Sequence, residues 1–117
     1  MVICFLKIVP YPSKRDAVFE ILRSVIDLTQ GRLGCLSCAT YEEHNHQRSI
    51  IYMEQWESNE DLNRHIQSSL YNWILSAMEL ASEVPEIYFY EVSKSTGMDL
   101  IRAVRTEGEG NKGLDSL

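Results

Sequence analysis

The stretch VICFLKIV, residues 2–9, is apolar at both parities of a strand. Val2, Cys4, Leu6 and Ile8 point one way, while Ile3, Phe5 and Val9 point the other. Pro10 and Pro12 end it, because neither can donate a backbone N–H to a ladder. A strand of this kind has to be covered on both faces. The remainder of the chain must therefore supply two covers, and helices are the first place to look.

Ser13 followed three residues later by Asp16 resembles a capping box. Val18, Ile21, Leu22, Val25 and Leu28 then recur at helical spacing, with Gly31 as the stop and Gly34 closing the loop. Residues 35–43 and 49–57 read as two strands of an antiparallel hairpin joined by the polar run HNHQR. Ser58 with Asp61 opens the next helix, and Ser68 or Ser69 restarts it. Its apolar stripe is Leu70, Trp73, Ile74, Ala77, Met78 and Ala81, with Trp73 and Met78 expected in the core. Pro85 heads a last strand, residues 86–92.

This order, β-α-β-β-α-β, predicts an α+β domain of the ferredoxin-like, split βαβ type with a four-stranded antiparallel sheet. One helix follows each of the first and third strands, so both lie on one face. The other face is left bare, and a second copy of the sheet is its simplest cover. A homodimer is expected. The domain is placed at residues 1–94. Beyond it, MDLIRAVR has the pattern of a short amphipathic helix through Leu100, Ile101 and Val104, and EGEGNKGLDSL has the composition of a flexible, disordered tail.

A chain of 117 residues has room for one domain. Its net charge of −6, without a Lys/Arg cluster, argues against nucleic acid. The first ten residues are too short to span a bilayer and carry no basic flank of the signal-peptide kind. Three cysteines, an odd count, fit a reducing compartment. A cytoplasmic protein without membrane association is expected.

Candidate chemistry concentrates in YMEQWESNEDLNRHIQSSLYNWI, residues 52–74. Tyr52, Glu54 and Trp56 share one strand parity, and His65 lies on the helix that follows. His65 is the base candidate, since an imidazole titrates near neutral pH; as a solvated helix residue it would do nothing. It is expected half-buried, beside a face formed by Leu62 and Ile66. Trp56 is either a ligand-facing wall or a core residue whose N–H reaches a backbone carbonyl. Tyr88 and Tyr90 share a face of the last strand, where they either pack or hold a substrate oxygen. Cys35 and Cys38 suggest a redox or zinc pair with His44 and His46. Strand geometry, however, sends residues i and i+3 to opposite faces, and the spacing matches no usual zinc pattern. No metal is expected. No Gly-rich loop for a phosphate appears, so no flavin or nicotinamide cofactor is expected either.

The segments GRLGCLSCATYEE, IIYMEQWESNEDLNRHIQSS and VPEIYFYEV resemble the antibiotic biosynthesis monooxygenase (ABM) family of dimeric α+β barrel proteins. The resemblance covers roughly residues 2–94 and is strongest in the E-x-W-E-S stretch with its following histidine. It implies a homodimer and a cofactor-independent monooxygenase that uses O2 on a small quinol or other hydroxyarene. His65, Trp56 and Tyr52 would then be catalytic, and Glu54, Tyr88 and Tyr90 would bind substrate. The same resemblance also admits a non-catalytic, dimeric small-molecule binding or stress-response protein. Haem degradation, known in the family, implies an asparagine on the first strand, and VICFLKIVP has none.

Overall fold

The structure, a computed structural model, describes residues 1–108. Strands β1 (Val2–Ile8), β2 (Cys35–Glu42), β3 (Ile50–Trp56) and β4 (Glu86–Glu91) form one antiparallel sheet in the order β2-β3-β1-β4. Helices α1 (Arg15–Thr29), α2 (Asn59–Gln67) and α3 (Tyr71–Met78) connect them, and α4 (Met98–Gly108) follows β4. The α+β, ferredoxin-like order expected from the sequence is the observed one. None of the described helices is long and apolar enough to cross a membrane. The tail expected over residues 107–117 falls mostly outside the described residues, and Glu107 with Gly108 belongs to α4.

Alternation along β1 sorts the chain into two faces. Val2, Cys4, Leu6 and Ile8 are buried under the helices, whereas Ile3 and Phe5 on the opposite face are only half covered. The register puts Met53, Tyr88 and Tyr90 on that second face as well. Beneath the helices, Leu6, Ile8, Ile50 and Tyr52 pack against Val18, Leu22 and Val25 of α1 and Ile74 and Ala77 of α3. Burying this apolar layer is the main stabilising term of the domain.

Several local expectations are corrected. Ser13 does not cap α1: it lies in a short 3-10 turn, Pro12–Lys14, and the helix begins without a side-chain cap. Pro12 presets the backbone for a turn that Lys14 N–H closes on Tyr11 O at 2.8 Å, so no cap is required there. Gly31 follows α1 but is not left-handed; the left-handed glycine is Gly34, at φ 83°. Trp73 is 58% exposed and Met78 half-buried, because the inward face of α3 is Tyr71, Ile74 and Ala77. Trp73 instead lines a surface groove with the half-buried Ile21 and the exposed Leu28 of α1.

The two cysteines of β2 are corrected in a more informative way. A bulge between Cys35 and Ser37 adds one residue to the strand, so Cys35 lies opposite Trp56 and Cys38 opposite Glu54. Both therefore share the helix-facing side, against the simple period of two. Both are free thiols, and no group of three or more His, Cys, Asp or Glu among the described residues is placed to hold a metal ion.

The loop between α1 and β2 is fixed by Gly34. Its left-handed backbone suits glycine, and a Cβ built there would overlap the Asp61 carboxylate of α2. Gly34→Ala should lower the unfolding free energy by about 1–3 kcal/mol, measured by denaturant titration. Adding Asp61→Ala should recover only part of that loss, since it removes the carboxylate contacts but leaves the Cβ of residue 61, at 2.6 Å, and the backbone strain.

Candidate active site

Glu54 sits in the middle of β3, on the face beneath the helices, and is fully buried. A carboxylate there must find partners or remain neutral. Its immediate neighbours provide them. Trp56 Nε1–H donates to Oε1 at 2.9 Å, the Tyr52 hydroxyl donates to Oε2, and His65 Nε2 lies 2.9 Å from the same Oε2. Tyr52 in turn accepts from the Cys38 thiol at 3.3 Å. The two residues flanking Glu54 across the sheet are Cys4 and Cys38, small enough to leave the carboxylate room.

His65 arrives from α2. Ser58 caps that helix: its hydroxyl accepts from Asp61 N–H at 3.2 Å and donates to Asp61 Oδ2 at 2.8 Å. The helix stops where Ser68 turns its N–H and hydroxyl onto His65 O, and α3 starts afresh at Tyr71. Because α2 is short and free of α3, its inward face is Leu62 and His65, three residues apart. Ile66, expected inside, faces out. His65, expected half-buried, is 1% exposed. Its ring lies 4.8 Å from the Trp56 ring and meets Tyr71 edge-on at 5.4 Å.

Four of the six candidate residues, Tyr52, Glu54, Trp56 and His65, thus form one hydrogen-bonded cluster. The structure does not bring Tyr88 and Tyr90 to it. They stack on each other, 6.1 Å apart, on the opposite face of the sheet. Trp56 is indeed a core residue, but its N–H meets a carboxylate rather than a backbone carbonyl. What the sequence reading missed was the hub itself, together with Cys38 and Tyr71. A Tyr-x-Glu-x-Trp alternation within an apolar strand was the available signal, since it places a carboxyl on the buried parity.

The arrangement fixes a tautomer. A carboxylate that accepts from Trp56 and Tyr52 also accepts from His65, so Nε2 carries a proton toward Glu54. In a neutral ring Nδ1 is then the lone-pair nitrogen, and it is buried without a hydrogen-bond partner among the described residues. His65 and Trp56 line a recess of about 20 Å³ with Arg32, Leu33, Asp61 and Arg64. That volume admits about one water molecule or one ligand oxygen.

The family model for antibiotic biosynthesis monooxygenases matches residues 1–72, which include all four clustered side chains. The chain belongs to that family. A relative, the uncharacterized protein sll1783 of Synechocystis, is 21% identical over 85 residues, covering 72% of this chain. The chain spans only 58% of that relative's length. Among solved structures, Rv0793 of Mycobacterium tuberculosis superposes with a TM-score of 0.74 at 23% identity, covering 82% of this chain and 98% of its own. A conserved protein of Methanosarcina mazei gives 0.72 at 22% identity, covering 77% and 90%. These two share the ABM fold with this chain. The family match ends inside α3, so β4 with its tyrosines lies outside it.

Burial shapes the acidity of the groups around Glu54. It pushes the Tyr52 and Tyr71 phenols and the Cys4 thiol up, with the Glu54 charge adding to the effect on Tyr52 and Cys4. Burial likewise moves Cys38 up to about 12. The unfolded chain ionises these groups first as pH rises, from the ordinary thiol and phenol values of 9.0 and 10.0. Folded-state stability should therefore be intact below pH 9.0 and fall progressively above it. Each group contributes a slope of at most about 1.4 kcal/mol per pH unit. Urea titrations across the alkaline range should show this fall, and Tyr52→Phe should make it shallower.

Proposed function

We propose that this protein is a cofactor-independent monooxygenase acting on a small quinol or related hydroxyarene, with His65 as the base. The observation that carries this reading is His65 itself, which lines a recess, holds Glu54 through Nε2 and has an Nδ1 without a hydrogen-bond partner among the described residues. A base of this design takes a proton at Nδ1 while Nε2–H stays on Glu54, and the carboxylate stabilises the imidazolium that results. Tyr52 and Trp56 keep Glu54 in place by occupying its other lone pairs.

The reaction consistent with that base starts when a substrate O–H transfers its proton to Nδ1. The phenolate left behind is electron-rich enough to reduce O2 itself. One oxygen atom then becomes a carbonyl on a ring carbon that gives up its single hydrogen. That hydrogen, with the hydroxyl proton held by His65, leaves on the second oxygen as water, so that the hydroxyarene becomes a quinone. No external reductant enters the balance. In this scheme Tyr52, Glu54 and Trp56 are positioning groups, with Trp56 also forming a wall of the recess. Tyr88 and Tyr90, on the far face of the sheet, take no part in this scheme.

A second copy is part of the proposal. Ile3, Phe5, Met53, Tyr88 and Tyr90 form a sheet face that no helix among the described residues covers, and a homodimer through this face supplies what β1 requires. Three free cysteines suit the reducing cytoplasm.

One dimension favours a second reading. A recess of about 20 Å³ is far below the volume of an aromatic ring, as suits a non-catalytic small-molecule binding protein. Oxygen uptake with a panel of reduced quinols, set against their autoxidation, separates the two. Uptake above the blank that falls about 100-fold or more in His65→Ala, with dimer stability little changed, is the expected result. An active parent with an equally active His65 variant removes His65 from the mechanism, and an inactive parent leaves the binding reading. Light scattering at micromolar concentration should give twice the chain mass, and a double Phe5→Glu/Tyr88→Glu variant should run as a monomer.

A further inference from the structure

We propose that the mouth of the His65 recess is an anion-recognition site in which Arg32 binds the phenolate oxygen of the ligand. The proposal rests on the reading of His65 as the base and adds the residue that receives the charge created there.

The recess is built from two elements: the loop between α1 and β2, and the first half of α2. Its floor is the His65 and Trp56 rings, and its rim is Arg32, Leu33, Asp61 and Arg64. The charges on the α2 side already cancel. Arg64 Nη1 pairs with Asp61 Oδ1 at 2.9 Å, and Asp61 Oδ2 accepts from the Ser58 hydroxyl at 2.8 Å. The Ser58 hydrogen bond, followed by Arg64, holds the Asp61 carboxyl below its usual range, so it is a settled anion with its partners in place. Arg32 is different. Its guanidinium makes no hydrogen bond or ion pair with another of the described residues, which leaves one positive charge at the rim unmatched.

Arg32 is also held where it can act. Its backbone N–H bonds Thr29 O at 2.9 Å, and its carbonyl accepts from Cys35 N–H at 3.1 Å. Two residues on, Gly34 packs directly against Asp61. The loop is thereby fixed to the helix that carries His65, and Arg32 and His65 border the same opening.

Size and surface then define the ligand. The recess admits one oxygen atom and excludes a ring. Leu33, beside the opening, is 76% exposed and offers an apolar surface on which a ring can lie outside. A flat, apolar ligand with an acidic hydroxyl fits: the oxygen enters, the ring rests on Leu33, and the proton passes to Nδ1. The oxygen then carries the negative charge next to Arg32. Charge is moved between neighbours rather than created in isolation, which lowers the cost of proton transfer at a buried imidazole.

The test uses equilibrium dialysis of the full chain with 4-nitrophenolate, at a pH where the phenol is ionised, and with its neutral methyl ether 4-nitroanisole. The parent should bind the anion about tenfold more tightly than the ether. Arg32→Gln should abolish that preference without changing ether binding, Arg32→Lys should restore part of it, and Arg64→Gln should have a smaller effect. Arg32 is exposed, so these variants should fold like the parent, which circular dichroism checks. Equal binding of the two probes, binding of neither, or an Arg32→Gln variant that keeps the preference overturns the proposal. The oxygenase reading fails separately: a parent that selects the anion through Arg32 but consumes no oxygen with quinols keeps the site and loses the reaction.

Discussion

A single buried carboxylate organises the helix-facing half of this domain. Glu54 stands in a central strand, beneath helices, where an unpaired charge is costly. The residues around it are arranged to meet that demand. Tyr52 and Trp56, two positions to either side on the same strand, satisfy it from within the sheet. His65 satisfies it from above and is drawn fully into the interior as a result. The Glu54–His65 contact is therefore both a structural tie between sheet and α2 and the source of a base with a defined tautomer. Removing the carboxylate would strand three donors at once, so its structural and chemical roles cannot be separated by truncation.

Much of this was legible beforehand, for reasons that differ from element to element. The strand and helix order followed from periodicity and from Pro and Gly punctuation, which act locally. The grouping of Tyr52, Glu54, Trp56 and His65 followed from strand parity plus a family resemblance. The errors came where a tertiary contact outweighed a local rule. Trp73 lies within an apolar helical stripe, yet α3 turns Tyr71 inward to meet His65, and Trp73 is left outside. Ile66 lost the inward position to a polar residue because Glu54 rewards a histidine there more than an isoleucine. The Cys35–Cys38 geometry depended on a bulge that no spacing announces. Tyr88 and Tyr90 were placed correctly on a common face, but which face that was required the pairing of β4 with β1.

The two faces of the sheet consequently carry different kinds of information. Under the helices, the layer is a closed polar network set into an apolar core, and every substitution there is felt through several partners. On the other face, half-covered aliphatic and aromatic side chains form a broad surface whose requirement is cover. β1 belongs to both, as its two parities foretold, and it links the candidate site to the proposed dimer without any side chain shared between them.

The sheet order β2-β3-β1-β4 has one more consequence. β3 is paired on both sides, so the backbone beneath Glu54 is clamped by two ladders. The opposing wall of the recess is made of a loop and a nine-residue helix, which are held by side-chain contacts and one glycine. One wall is thus rigid by construction and the other replaceable. Changes in the α1–β2 loop can alter which molecules are admitted while the proton-accepting machinery stays in register, a separation that lets a small domain acquire new specificities without rebuilding its chemistry.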